Sequence, residues 1–174
     1  MGGDLTGADA GGDAAPVADF SHLATGASFL RADLHIHSFG VSPDVSDTAM
    51  TVEGILATAK TRDLDLIAIT DHNAIDSVDR LLELAPASGI YAFAGVEIST
   101  GEGHVLVYFS PDDFAVFERW FNRLDFKEDP SSGYRHLLVP IHELLSQVKS
   151  AGGIAVPAHI GRTGTGFEDR VSHS

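Results

Sequence analysis

A chain of 174 residues, 44% of them apolar, is the size of one domain and can bury one core. It has no cysteine, which excludes disulfides and thiolate metal sites and fits a reducing compartment. A formal charge of −14, from 25 acidic against 11 basic residues, sets the surface against nucleic acid and anionic membranes unless bound cations intervene.

Residues 1–28 are rich in Gly, Ala and Asp and lack periodicity, so they read as a mostly disordered tail ahead of a domain over 29–174. A basic stretch followed by an apolar core, as in a secretory signal, is not seen there. No apolar run nears the roughly 18–20 residues that span a bilayer, and a soluble cytoplasmic protein is expected.

The first ordered element is an opening strand over 30–36, inside the run RADLHIHSFG. Alternation along it puts Asp33, His35 and His37 on one face and Leu34 and Ile36 on the other. An amphipathic helix follows over 51–63, with Thr51 as N-cap and Val52, Ile55, Leu56 and Ala59 as its apolar stripe. Residues 64–70, LDLIAIT, are continuously apolar, as in a parallel strand covered on both faces.

The next helix, 75–85, is expected to end near Pro86, and strands follow over 90–98 and 104–109. Pro111 opens a helix to about 124, and 126–138 reads as loop. A further helix over 139–153 closes on a Gly pair, a strand follows over 154–160, and the rest is loop-like. Five strands alternating with helices imply an α/β fold with a mostly parallel sheet. An eight-unit barrel typically takes about 250 residues, which this chain does not have.

Six chemistry-bearing residues fall at or beside strand ends: His35, His37, His72 in AITDHN, Glu97 in AGVEIS, His104 in GEGHVLVYF, and His159 in VPAHIG. In parallel α/β sheets such ends gather on one side of the molecule. Each residue alone has a plain structural reading. TDHN could cap a helix through Asp71 or Asn73, Glu97 could sit in a turn, and His104 at a strand edge. The joint placement, together with the cost of burying a paired His-x-His without partners, favours a metal cluster. Imidazole plus carboxylate suits zinc, manganese or iron. His22, His136, His142 and His173 lack this placement and are not expected to bind metal.

In this order, DLHIHS, ITDHN, GVEIS, GHVLVY and PAHIG resemble the PHP (polymerase and histidinol phosphatase) domain, over about 30–160. The finer likeness is to PHP domains at the head of SMC-like ATPase proteins. The resemblance implies a distorted seven-stranded (β/α) barrel with up to three metal ions at its mouth. It also implies hydrolysis of phosphate esters, nucleotides or nucleic acid among them, by hydroxide generated between two ions. By position, His35 and His37 would hold the first ion, Glu97 would bridge to the second, and His104 and His159 would complete that second site. His72 would belong to the third with an aspartate of the loop after HIHS; Asp47, in a Ser-Asp pair, fits the family pattern better, with Asp44 close behind. Glu97, His104 and Arg162 are the expected catalytic residues, Arg162 as a phosphate contact, while Asp33 and Asp71 are candidates to orient histidines.

The family also ends its ligand set with an Asp-x-His that is not found after His159. A partial barrel is therefore expected, its last strands supplied by further chain or by a partner, with an incomplete third site. Two other readings stand beside this one. One is a regulatory or structural module with a degenerate site. The other is an amidohydrolase-type hydrolase, which commonly bridges its metals with a strand lysine; Lys60, Lys127 and Lys149 read instead as helix or loop.

Overall fold

A computed structural model describes residues 29–128, 130 and 134–163; the tail over 1–28, His22 and His173 lie outside these. The elements in chain order are β1 (Ala32–Ile36), α1 (Val52–Thr61), β2 (Leu66–Ile69), α2 (Val78–Ser88), β3 (Tyr91–Thr100) and β4 (Gly103–Phe109). After a 3₁₀ turn at Pro111–Asp113 come α3 (Phe114–Phe121), β5 (Phe126–Glu128), β6 (Arg135–Leu137), α4 (Ile141–Ser150) and β7 (Ile154–Pro157). The sheet has seven strands, and its main path runs β1-β2-β3-β4-β7. Those are the five strands expected from the sequence.

Two strands were not legible. Residues 126–138 read as a loop, yet β5 and β6 pair antiparallel there, and β6 meets β3 at Leu137 and Thr100. Three-residue strands are too short to display alternation. His136 thus lies on β6, while His142 is exposed on α4.

The pairs β1–β2, β2–β3 and β3–β6 are parallel, while β4 runs against both β3 and β7. Strands β1, β2, β3, β6 and β7 therefore share one direction, and the sheet is open and mostly parallel. The reversal at β4 follows from the two-residue turn Gly101-Glu102, since a parallel crossover needs about a dozen residues or more. Thr100 holds this turn: its Oγ1 donates to the Gly103 carbonyl at 2.8 Å and accepts from Glu102 N–H at 3.1 Å.

The four α-helices of the described residues all pack on one face of the sheet. Ile67 and Ile69 of β2 join α1 and α2 residues in one cluster; Val96, Ile98, Val105 and Val107 join Phe117, Leu144 and Val148 of α3 and α4 in another. Helix α1 starts at Thr51, whose Oγ1 accepts from Gly54 N–H at 3.2 Å. Helix α2 runs through Pro86 to Ser88 rather than ending before it. It closes at Gly89, with φ of 71° and its N–H donated to the Pro86 carbonyl at 3.1 Å, a left-handed cap that glycine adopts without strain.

Among the described residues, no helix covers the opposite face. Ala68, Leu106, Tyr108 and Ala158 form a small cluster there, with Leu34 and Phe93 packed against it. Along β3 and β4, Glu97 and His104 share this face by alternation.

Alternation fails in β1. Residues 32 and 33 pair with 66 and 67, but Ile36 pairs with Ile69, so one extra residue is accommodated between Asp33 and Ile36. This bulge separates Leu34, in the helix-free cluster, from Ile36, which packs with the α1–α2 cluster. The expected split of Asp33, His35 and His37 against Leu34 and Ile36 is therefore wrong. A bulge is a common device for re-aiming a side chain near a functional site.

Candidate metal centre

Glu97 is fully buried, at 0% side-chain exposure, and imidazoles surround its carboxylate. Oε2 lies 3.0 Å from His35 Nε2, 2.8 Å from His37 Nε2 and 3.4 Å from His72 Nδ1. Oε1 lies 2.9 Å from His104 Nδ1 and 3.0 Å from His159 Nε2. The five rings close a circuit, 35 to 37 to 72 to 104 to 159 and back to 35, with centroids 4.5–5.8 Å apart.

Each side chain reaches this point through a specific local device. His72 sits just past β2 and bridges to Glu97 in parallel register. The next residue, Asn73, takes a left-handed backbone, φ 48°, and its side chain stitches this turn to two other strands. Its Oδ1 accepts from Ser99 N–H at 2.8 Å and its Nδ2 donates to the Arg135 carbonyl at 2.8 Å. His159 follows β7 and also has a left-handed backbone, φ 30°, uncommon outside glycine and a form of strain that surrounding contacts must sustain.

Asp71, 1% exposed, links two ligand-bearing turns. It accepts from Ser38 N–H at 2.6 Å, Ser38 Oγ at 2.7 Å and Ser77 Oγ at 2.5 Å. It touches no imidazole in these bonds; it ties the residue after His37 to the residue before His72 through the main chain. Asp33 likewise makes no such contact: its carboxylate accepts from the backbone N–H of His35 at 3.3 Å.

The expected preference for Asp47 over Asp44 is reversed. Asp44 lies 2.9 Å from His37 Nδ1 and 3.7 Å from His72 Nε2, whereas Asp47 accepts from Ala49 N–H at 2.9 Å. Asp47 is occupied in the turn that leads into α1. Arg162 is exposed, its N–H donated to the His159 carbonyl at 2.9 Å. The three lysines are exposed on α1, β5 and α4, so Lys127 is on a strand rather than in a loop. Glu97, not a lysine, occupies the centre.

Electrostatics follows from this crowding. Burial by itself pushes the Glu97 carboxyl up, but hydrogen bonds with His104, His35 and His37, and the charge of His72, hold it far below the usual range. Burial pulls His72 and His159 down, toward the neutral imidazole. His37 is raised, because Glu97 and Asp44 outweigh its burial.

The donor set fits divalent metal. A carboxylate offers about four lone-pair positions, yet five ring nitrogens crowd this one. As hydrogen bonds, those contacts would need every ring to turn a proton toward Glu97. His72 Nδ1 and His159 Nδ1 are moreover buried without a hydrogen-bond partner. A shared cation makes the inward nitrogens lone-pair donors instead. Ligand atoms of three sets lie within 4.8 Å of one another: His35/His37/Glu97, His37/Asp44/His72 and His72/Glu97/His104. Ser38, Ser42 and Asn73 brace the turns that carry the histidines, Ser42 Oγ by accepting from His72 N–H at 3.3 Å, and were not foreseen as doing so; of these, Ser38 and Asn73 lie in the quoted motifs.

An open α/β sheet with five imidazoles around one buried carboxylate defines a metal-site protein of the β/α barrel class. The sequence pattern of the PHP domain matches residues 33–154. The chain belongs to that family.

An uncharacterized protein of Methanocaldococcus jannaschii is 29% identical over 136 residues, 75% of this chain and 67% of that one. The fold is similar to that of a lesion-specific endonuclease from Pyrococcus furiosus, with a TM-score of 0.62 and 19% identity. That match covers 83% of this chain but 40% of the endonuclease, so the chain spans well under half of that protein. A protein from Bifidobacterium adolescentis assigned as a metal-dependent phosphoesterase has a TM-score of 0.56 at 19% identity, over 79% of this chain and 69% of its own.

Proposed function

We propose that this chain is the metal-binding core of a phosphoesterase. The observation that carries the reading is the division of labour at Glu97, with His35 and His37 on one oxygen and His104 and His159 on the other. A carboxylate placed so would bridge two ions, one beside each histidine pair. Asp44 fits two roles: it fixes the His37 tautomer through Nδ1, leaving Nε2 as donor, and it approaches His72 for a third ion.

Zinc, manganese or iron held there supplies Lewis-acid activation of water and neutralises charge on phosphoryl oxygens. The chain's own groups do the rest. Glu97 keeps the two histidine pairs at a common distance, and burial keeps His72 and His159 neutral and able to donate. Arg162, three residues past His159, is the proposed contact for a phosphate oxygen. A cluster of cations also gives an acidic protein a local anion site, so a nucleotide or nucleic-acid phosphodiester is admitted as substrate and not as a stably bound partner. The names of the fold neighbours, an endonuclease and a phosphoesterase, support the same substrate class.

The test is elemental analysis of purified protein, followed by hydrolysis of an aryl phosphate and of short duplex DNA. Divalent metal should be retained, and Glu97→Gln should lower turnover at least 100-fold. Loss of metal is expected in the His35→Ala, His37→Ala double variant; unchanged content there would defeat the reading. A second reading is favoured by the open flank: β1 and β7 end the main path of the sheet, and His35 is 33% exposed at one of those edges. Metal uptake without turnover, restored when chain is added beyond residue 174, would identify an incomplete unit completed by further strands.

A further inference from the structure

Among the five histidines, His35 has the weakest frame. It lies on an edge strand, inside the bulge, and its side chain is the most exposed of the five. Glu97 and His104 stand on paired strands, His37 leans on Asp44, and His72 is bridged to β3. Within the bulge the Asp33 carboxylate accepts from His35 N–H at 3.3 Å and the Ile36 carbonyl accepts from Thr70 N–H at 2.7 Å. The Leu34 carbonyl is met from across the sheet. Tyr108 of β4 donates its hydroxyl to the Leu34 carbonyl at 2.7 Å. Strands β1 and β4 are not neighbours, since β2 and β3 lie between them. The phenol therefore spans the helix-free face, its ring tilted against Phe93 at 6.5 Å.

Resting on the reading of the site given above, we propose that Tyr108 is a positioning residue for the metal centre. Its hydroxyl fixes the backbone from which His35 reaches Glu97. Ladder bonds cannot specify this geometry, because the bulge breaks the register between Asp33 and Ile36. A strut from a strand that also carries His104, four residues away on the same face, can. It ties the two histidine pairs of Glu97 to one another. Tyr108 itself is 8% exposed and stays a donor, since burial, Glu97 and Asp33 push its pKa up to about 12.

Tyr108→Phe keeps the ring and deletes the strut. Zinc affinity, read by competition with a chromophoric chelator, should fall about 10–100-fold, the usual cost of losing an outer-sphere support. In a His35→Ala background the same change should cost nothing more; independent, additive losses would overturn the proposal. A second arm needs no metal. Imidazole nitrogen resonances of His35 in the metal-free protein should move in Tyr108→Phe while those of His104 stay put, and unmoved His35 signals would overturn it. In the wild type, the Tyr108 hydroxyl proton should exchange slowly and show a cross-relaxation peak to Leu34 or His35; an exchange-averaged hydroxyl counts against the strut. If wild-type protein takes up no zinc, the metal reading fails on its own, and the resonance arm still decides the role of Tyr108.

Discussion

At the scale of single residues, Glu97 shows how a buried charge is tolerated. A lone carboxylate at 0% exposure would sooner take a proton than stay ionised. Here the imidazoles reverse that preference and depress its pKa. The sign of the pH effect follows. A depressed carboxyl stabilises the fold above its unfolded value of 4.5 and loses that contribution as pH falls below it. In urea titrations of metal-free protein, the stability difference between wild type and Glu97→Gln should shrink as pH falls from about 5 to about 3. A constant difference over that window would mean that the imidazoles do not hold the charge. Both strand-end histidines and Glu97 were legible as chemistry from residue type and position. The partners of Asp71 and Asp44 were not, since a serine or an aspartate in a loop has no period to betray its contacts.

At the scale of elements, the helices behaved as their apolar stripes indicate, down to the Thr51 cap and the buried Val52, Ile55, Leu56 and Ala59 of α1. The strands were less obedient. The bulge in β1 shifted a face assignment that simple alternation had made, and the β3–β4 hairpin sets β4 against the direction of a mostly parallel sheet. The hairpin could have been read, because TGEG leaves no room for a crossover. The bulge could not, because one extra residue leaves no mark in a five-residue strand. Close approach of β2 and β3 depends on Gly95, two residues before Glu97. A Cβ there would stand 2.9 Å from both the Ile69 carbonyl oxygen and Thr70 Cγ2. Gly95→Ala is therefore expected to destabilise by about 1–3 kcal/mol, as overpacking generally does. Urea denaturation measures it; an unchanged midpoint would show that the two strands have slack.

At the scale of the whole molecule, one face of the sheet is sealed by helices and the other is only partly closed. On β7, Ala155 packs into the helix-side cluster, while Ile154 and Val156, paired with Tyr108 and Leu106, remain 64% and 43% exposed. Among the described residues β1 and β7 each have an edge with no partner strand, and such edges beside apolar side chains invite further strands. Sedimentation velocity should show self-association rising with protein concentration, weakened by a Val156→Lys substitution that places a charge on that flank. Monodisperse monomer at high concentration would indicate that the edges are already protected. Among the described residues, no helix is long and apolar enough to cross a membrane.

What the sequence by itself determined was the helices, the five strands of the sheet's main path, the family and the six residues at strand ends. Those depend on side-chain type and on spacing along the chain, and both are written locally. Only the tertiary structure decided that Glu97 divides the histidines between its two oxygens, that Asp44 rather than Asp47 approaches them, and that Tyr108 reaches across to Leu34. Those relations join residues up to 74 positions apart. Their geometry is set by sheet order, one bulge and one hairpin, none of which any short window of sequence specifies.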